Sequence, residues 1–237
     1  MRLKSLACCI ALLLALTARA GIIYSPANNV NLTIDDGDPT GHTLTATASG
    51  YLPTIIDIRV TLNIVGVDGG WNGDLYCYLT YNNVLVPLLN RVGVQTGDAF
   101  GYEGAPGMNI TLAGDPGGYD DIHWTESPTS GGTYAPDGRL ISPALGPDPF
   151  SQPEDFDADG TIGFSAYNGM NPNGTWTLFI ADMSLGDTHQ LVSWSLQITA
   201  VPEPVNVALG IFGSVVLVVA VARRGRMREA VSRAVGH

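Results

Sequence analysis

Basic side chains are nearly missing from the middle of this chain. It has 237 residues with 11 lysines and arginines, yet only Arg59, Arg91 and Arg139 fall between residues 21 and 200. Arg2, Lys4 and Arg19 precede that stretch; Arg223, Arg224, Arg226, Arg228 and Arg233 follow it. Against those three arginines stand 20 acids, since only Glu203 and Glu229 of the 22 lie elsewhere, for a net charge of −17 with histidine neutral. A field of that sign repels phosphate backbones, so nucleic acid is not an expected partner. Cysteine is almost as scarce. Cys8 and Cys9 sit in an apolar leader, which leaves Cys77 alone and rules out an intrachain disulfide in the remainder. Between Tyr76 and Tyr78 it reads as a small core hydrophobe. Recognisable catalytic motifs are lacking too: no Gly-x-Ser-x-Gly, no His-Glu-x-x-His and no glycine-rich phosphate loop. The four histidines (His42, His123, His189, His237) are scattered, and a triad assembled from loops stays open only because triads are defined by geometry.

What remains is β-forming. The chain is 45% hydrophobic and 14% charged, with 29 glycines and 15 prolines, which suits an extracellular all-β domain better than a helical one. The clearest signal runs from Asn173 to Ile198. Trp176, Leu178 and Ile180 alternate with Thr175, Thr177 and Phe179; later Val192, Trp194, Leu196 and Ile198 alternate with Ser193, Ser195 and Gln197. Period two means strands with one buried face. This reads as a pair of strands, each with a tryptophan on its apolar face, joined by the turn-rich Asp182–Asp187. Earlier, Thr43, Thr45 and Thr47 alternate with Leu44, Ala46 and Ala48, and Ile56, Ile58, Val60, Leu62 and Ile64 alternate with Asp57, Arg59, Thr61 and Asn63. Residues 74–80 alternate again, Asn82-Asn83 predicts a turn, and Pro87 predicts an edge strand or a bulge. The stretch 93–160 is loop-rich and a natural home for function. Together these predict an antiparallel β-sandwich over residues 21–200.

Both ends carry targeting signals. Residues 1–20 read as a signal peptide: Arg2 and Lys4, an apolar run from Leu6 to Leu16, then Ala18-Arg19-Ala20 before Gly21. Residues 205–222 are eighteen uncharged, mostly apolar residues, followed at once by arginines. At about 1.5 Å per residue, a helix there just crosses a hydrocarbon core, with its basic end in the cytoplasm. The last residues, 229–237, would form a cytoplasmic tail.

Two resemblances follow from these residues. Pro202-Glu203-Pro204, the apolar helix and the basic cluster led by Arg223 and Arg224, together residues 201–228, resemble a PEP-CTERM sorting signal. That implies processing by an exosortase-type enzyme, transient anchoring in the membrane, and release to the cell envelope or extracellular matrix beside exopolysaccharide. The domain before it resembles the P domain (homo B domain) of subtilisin-like proprotein convertases. The resemblance rests on Asp35-Asp36-Gly37-Asp38, Trp71-Asn72-Gly73-Asp74-Leu75, Asn173-Gly174-Thr175-Trp176, Asp182, Gly186-Asp187 and Ser193-Trp194-Ser195-Leu196. It implies a jelly-roll sandwich without a protease triad of its own. Three departures are notable: Gly69-Gly70 stand where that family commonly has His-Thr, Tyr81-Asn82-Asn83 replace its usual Ser-Pro-x-Gly turn, and His189 stands where it often has Gly.

The candidate ligand site is Asp155-Phe156-Asp157-Ala158-Asp159-Gly160. Its carboxylates at the first, third and fifth positions and its glycine at the sixth are the spacing of a calcium loop, although position twelve is Ala166. Asp155, Asp157 and Asp159 either bind Ca²⁺ with help from other segments or form a solvated acidic turn. Asp35, Asp36, Asp38, Asp120 and Asp121 are weaker candidates that also suit turns. Trp71, Trp124 and Tyr119 lie in loops where a ring could stack on a sugar. The sequence therefore reads as an exported, non-enzymatic envelope or matrix protein that binds glycan, a surface protein or calcium. The alternative is an accessory P domain-like module for a separately encoded subtilisin-like protease.

Overall fold

The computed structural model describes residues 19–24, 30–67, 69–103, 107–143, 157–202 and 204–235. The segment expected to be a signal peptide lies outside these apart from Arg19 and Ala20, and so does Asp155. Among the described residues ten strands form two sheets: β1 (Arg19–Tyr24), β2 (Leu32–Ile34), β3 (His42–Ala48), β4 (Thr54–Gly66), β5 (Leu75–Tyr81), β6 (Val84–Asn90), β7 (Gly107–Ala113), β8 (Gly132–Tyr134), β9 (Gly174–Asp182) and β10 (His189–Val201). One sheet runs β1-β10-β4-β7-β8, with β2 also on β10; the other runs β3-β9-β5-β6. β1 and β2 pair antiparallel with β10, β3 and β5 with β9, β4 with β7 and β5 with β6, while β7 and β8 pair in parallel. The domain is thus mostly β, in two sheets, as the alternating sequence predicts.

The tryptophan strands are partners across the core, not along a sheet. β9 lies in the four-stranded sheet and β10 in the six-stranded one, so residues 183–188 carry the chain from one layer to the other. Their apolar faces meet in the middle, where Trp176, Leu178, Ile180, Trp194, Leu196 and Ile198 are all buried. The pair expected from the sequence is real, but hydrogen bonding within a sheet is not what joins it.

Two alternations slip by one residue. Ile55 is buried and Ile56 is 47% exposed, after which Ile58 to Ile64 keep the expected face. The cause is local: Ile55 N–H donates to Met170 O, and Gly169 N–H donates to Ile55 O, so a loop fixes the strand's first turn inward. In β10, Leu191 takes the buried position expected for Val192, whose carbonyl accepts from both Val30 and Asn31 N–H. Asn82 and Asn83 both have positive φ, 47° and 62°, as a two-residue hairpin turn of the right twist requires. Pro87 lies on the edge strand β6, beside a register shift opposite Cys77/Tyr78. β7 was not anticipated, although Met108, Ile110 and Leu112 alternate with Asn109 and Thr111, and it sits between β4 and β8. Residues 164–167 form a 3₁₀ turn.

At the heart of the core, Trp176 stacks on Tyr81 with centroids 4.1 Å apart and planes 7° apart, and meets Tyr167 edge-on at 5.1 Å. Each polar head finds a carbonyl: Trp176 Nε1 donates to Pro172 O (3.0 Å), Tyr81 Oη to Asn171 O (2.6 Å) and Tyr167 Oη to Leu79 O (2.8 Å). Cys77 is fully buried, and burial pushes its thiol well above the ordinary range.

Beyond the sandwich, Pro204–Val235 is one α-helix, α1, of 32 residues, longer than the segment expected at 205–222. Phe212, Val216, Leu217 and Val221 on it are exposed. Among the described residues no helix is long and apolar enough to cross a membrane; the side chains of residues 205–209 and 211 lie outside the description.

Trp176→Ala should cost about 3–5 kcal/mol of unfolding free energy, and Tyr81→Phe about 1 kcal/mol. Denaturant melts of the whole chain check both, with the Trp176 change expected to be the larger.

Candidate functional site

The end of β6 feeds two buried polar centres from two consecutive residues. Asn90 turns into one; Arg91, held at a left-handed φ of 53° that few non-glycine residues adopt, turns into the other. Arg91 N–H donates to Leu75 O, which pins the corner to β5.

In the first centre, Asp137 is the hub. Arg139 donates to it through Nε (2.8 Å to Oδ1) and Nη2 (3.0 Å to Oδ2), and His123 Nδ1 lies 3.2 Å from Oδ2. Asn90 N–H also donates to Oδ2 (3.2 Å), while its Nδ2 donates to Arg139 O and Ile141 O, 3.1 Å each. Arg139 Nη2 closes the ring by donating to Asn90 O. Asn90, His123, Asp137 and Arg139 are all buried. Burial alone would raise the Asp137 carboxyl, but His123 and Arg139 together hold it below the usual carboxylate range.

The second centre gathers residues that the sequence keeps far apart. Asp182 Oδ1 accepts from Ser184 N–H (3.1 Å) and Gly37 N–H (3.4 Å), and its Oδ2 lies 3.1 Å from His189 Nδ1. Gly186 N–H donates to Asp36 Oδ1 at 2.9 Å. Arg91 Nε donates to Gly73 O (3.0 Å), and its Nη2 lies 3.7 Å from Asp74 Oδ1. Asp74 has little else to neutralise it. Burial first, and the neighbouring Asp182 second, push its carboxyl up to about 7, with Arg91 only partly opposing. Gly70, at a φ of 113°, is confined by this centre: a Cβ there would sit 2.8 Å from Gly66 Cα and 3.3 Å from His189 Nε2. Gly69 is likewise fixed, since a Cβ there would sit 2.6 Å from Asp187 Oδ1.

Both centres contain an Asp–His pair, the first two members of a triad. The third is lacking among the described residues: His123 Nε2 and His189 Nε2 are buried without a hydrogen-bond partner. A nucleophile would have to stand within about 3 Å of that nitrogen.

The acidic loop is spoken for by hydrogen bonds. Asp157 accepts from Thr96 N–H (2.7 Å) and Oγ1 (2.5 Å), which lowers its carboxyl, and Asp159 Oδ1 accepts from Trp124 Nε1 at 3.3 Å. Among the described residues no three acids, histidines or cysteines come together as a metal site. Asp38 binds Thr40, and Asp121 caps the 122–124 turn through His123 N–H, so both act as turn formers. Of the loop aromatics, Trp71 donates to Gly101 O and rests edge-on against Phe100, Trp124 is tied to Asp159 and packs on His123, and Tyr119 is exposed.

No protein-family model and no curated protein matches the sequence. Among solved structures, a chain from the crystal structure of the Aeromonas sobria serine protease and chaperone complex aligns at a TM-score of 0.37 and 13% identity, over 79% of this chain and 27% of that one. That likeness is too slight to argue fold or function from.

Asp74 makes the domain pH-sensitive in a defined direction. Its folded pKa is raised, so the folded state keeps a proton that the unfolded state has lost, and stability falls as pH rises from about 4 to about 7. Asp121, raised to about 6 by burial, adds in the same sense. The melting temperature should therefore be lower at pH 8 than at pH 5, and Asp74→Asn should flatten that slope. An equally steep slope in the variant would assign the effect to another group.

Proposed function

We propose that this chain is an exported, non-enzymatic protein of the cell envelope or extracellular matrix, in which the β-sandwich binds or builds and the C-terminal segment sorts. The observation that carries this reading is the order of parts after β10. Pro202-Glu203-Pro204 follows the last strand directly, then comes a helix whose residues 205–222 are uncharged, then Arg223 and Arg224. Residues 205–222 are the proposed membrane segment, and an exosortase-type enzyme the proposed processing partner. Removal of residues 1–20 would leave Gly21, inside β1, as the first residue of the exported form. The fully buried Asp–His pairs suit a structural role for the histidines better than catalysis.

Calcium enters only as a proposed ligand of Asp155, Asp157 and Asp159. Exchanging the Thr96 and Trp124 hydrogen bonds for a cation would raise the melting temperature by linkage.

Fractionation of producing cells tests the reading. The native chain is expected outside the inner membrane in a shortened form, and Glu203→Ala combined with Arg223→Glu and Arg224→Glu should leave it full-length and membrane-associated. Intact native chain in the cytosol would overturn the proposal. Repeated co-purification with a subtilisin-like protease would replace it with the accessory-module reading.

A further inference from the structure

The outer face of the four-stranded sheet over β3, β9 and β5 is a neutral surface on a strongly acidic domain; β6 is covered, with Pro87, Leu88 and Leu89 all buried. β3, β5, β6 and β9 contain no lysine, arginine or glutamate, and their single acid, Asp182, is buried in the second polar centre. The net charge of −17 is therefore carried elsewhere, mostly in loops. Which residues face outward follows from their neighbours: Cys77, Leu79, Leu178 and Ile180 are fully buried, so Tyr78, Thr177 and Phe179 alternate to the other side.

Register then places them in rows. Phe179 stands between Thr43 on β3 and Tyr78 on β5, and Thr177 stands between Thr45 and Thr80. Tyr78 and Phe179 stack at 4.9 Å with planes 14° apart, and Tyr76 is inclined to both, at 5.7 Å from Tyr78 and 6.1 Å from Phe179. The result is a fixed ridge of three rings beside a field of hydroxyls, spaced about 4.8 Å across strands and about 6.8 Å along them. The hydroxyls of Thr43 and Thr45 are on exposed residues of this face, and those of Tyr76, Tyr78 and Thr177 on half-buried ones.

Aromatic surface flanked by hydroxyls, with no charge, is complementary to a polymer that has apolar C–H faces and hydroxyl rims and carries no charge. We propose that this face, and not the loop tryptophans, is a binding surface for a neutral polysaccharide chain. The inference rests on the reading of the chain as an envelope or matrix protein. It specifies the ligand class and the surface. An anionic polymer would be repelled by the surrounding acids, and a second copy seated face to face would bring two domains of charge −17 together.

The test uses the full chain in detergent micelles, mixed with insoluble cellulose and β-1,3-glucan as neutral polymers and with alginate as an anionic one. Retention on at least one neutral polymer and none on alginate is expected. Phe179→Ala removes a ring, and Thr45→Glu places a charge on an exposed position without touching the core. Each should weaken retention about tenfold, with the melting temperature of Thr45→Glu unchanged. If Phe179→Ala fails to fold, Thr45→Glu decides alone. Absence of retention on both neutral polymers would overturn the inference, as would Thr45→Glu retention equal to native or a dimer in sedimentation that Thr45→Glu dissolves. Chain found in the envelope that does not bind removes this inference and leaves the functional reading; chain that binds but stays in the cytosol does the reverse.

Discussion

Two of the three arginines in a domain with twenty acids are buried, and their pairing governs how the loops of the sandwich are set. A guanidinium taken out of water costs several kcal/mol unless a carboxylate and carbonyls replace the lost hydration. Arg139 gets both from Asp137, Asn90 and its neighbours. Arg91 does so less completely, with Gly73 O at 3.0 Å and Asp74 at 3.7 Å. Because Asn90 and Arg91 are consecutive, the end of one edge strand fixes the approach of the 122–124 turn, the 137–141 segment and the 72–74 turn together. The left-handed conformation at Arg91 is the backbone cost of sending two neighbouring side chains into different centres.

The two centres differ in how well their charges are balanced. Asp137 has an arginine, a histidine and a backbone N–H, and stays ionised despite complete burial. Asp74 faces Asp182 as well as Arg91 and holds its proton up to about pH 7. That leaves one corner of the sandwich with its buried charges paired and the other responsive to pH. The responsive corner is the one where Asp36, Gly37, Asp74, Asp182, Gly186 and His189, far apart in the chain, converge.

Much of the candidate site was present in the sequence as residues, but not as an arrangement. Gly69-Gly70 and His189 could be recognised as unusual one by one; nothing in a linear reading shows that they are two sides of one contact. The spacing of Asp155, Asp157 and Asp159 suggested convergent carboxylates, because alternation alone would aim them at one point. Instead, Thr96 and Trp124, each some tens of residues away, draw Asp157 and Asp159 to different donors. The strand β7 went unrecognised because glycine and proline punctuation on both sides hides a short alternating run.

Local chemistry by itself determined the β character, the Asn82-Asn83 turn, the edge position of Pro87 and the inward faces of Trp176 and Trp194, since each depends on a residue and its immediate neighbours. Tertiary structure alone decided that the two tryptophan strands belong to different sheets, that Ile55 and Leu191 displace Ile56 and Val192 from the core, and that the sparse arginines are interior. Those outcomes are set by partners more than a dozen residues away. Side-chain period says which face is buried, but only long-range hydrogen bonds and charge pairing say what it is buried against.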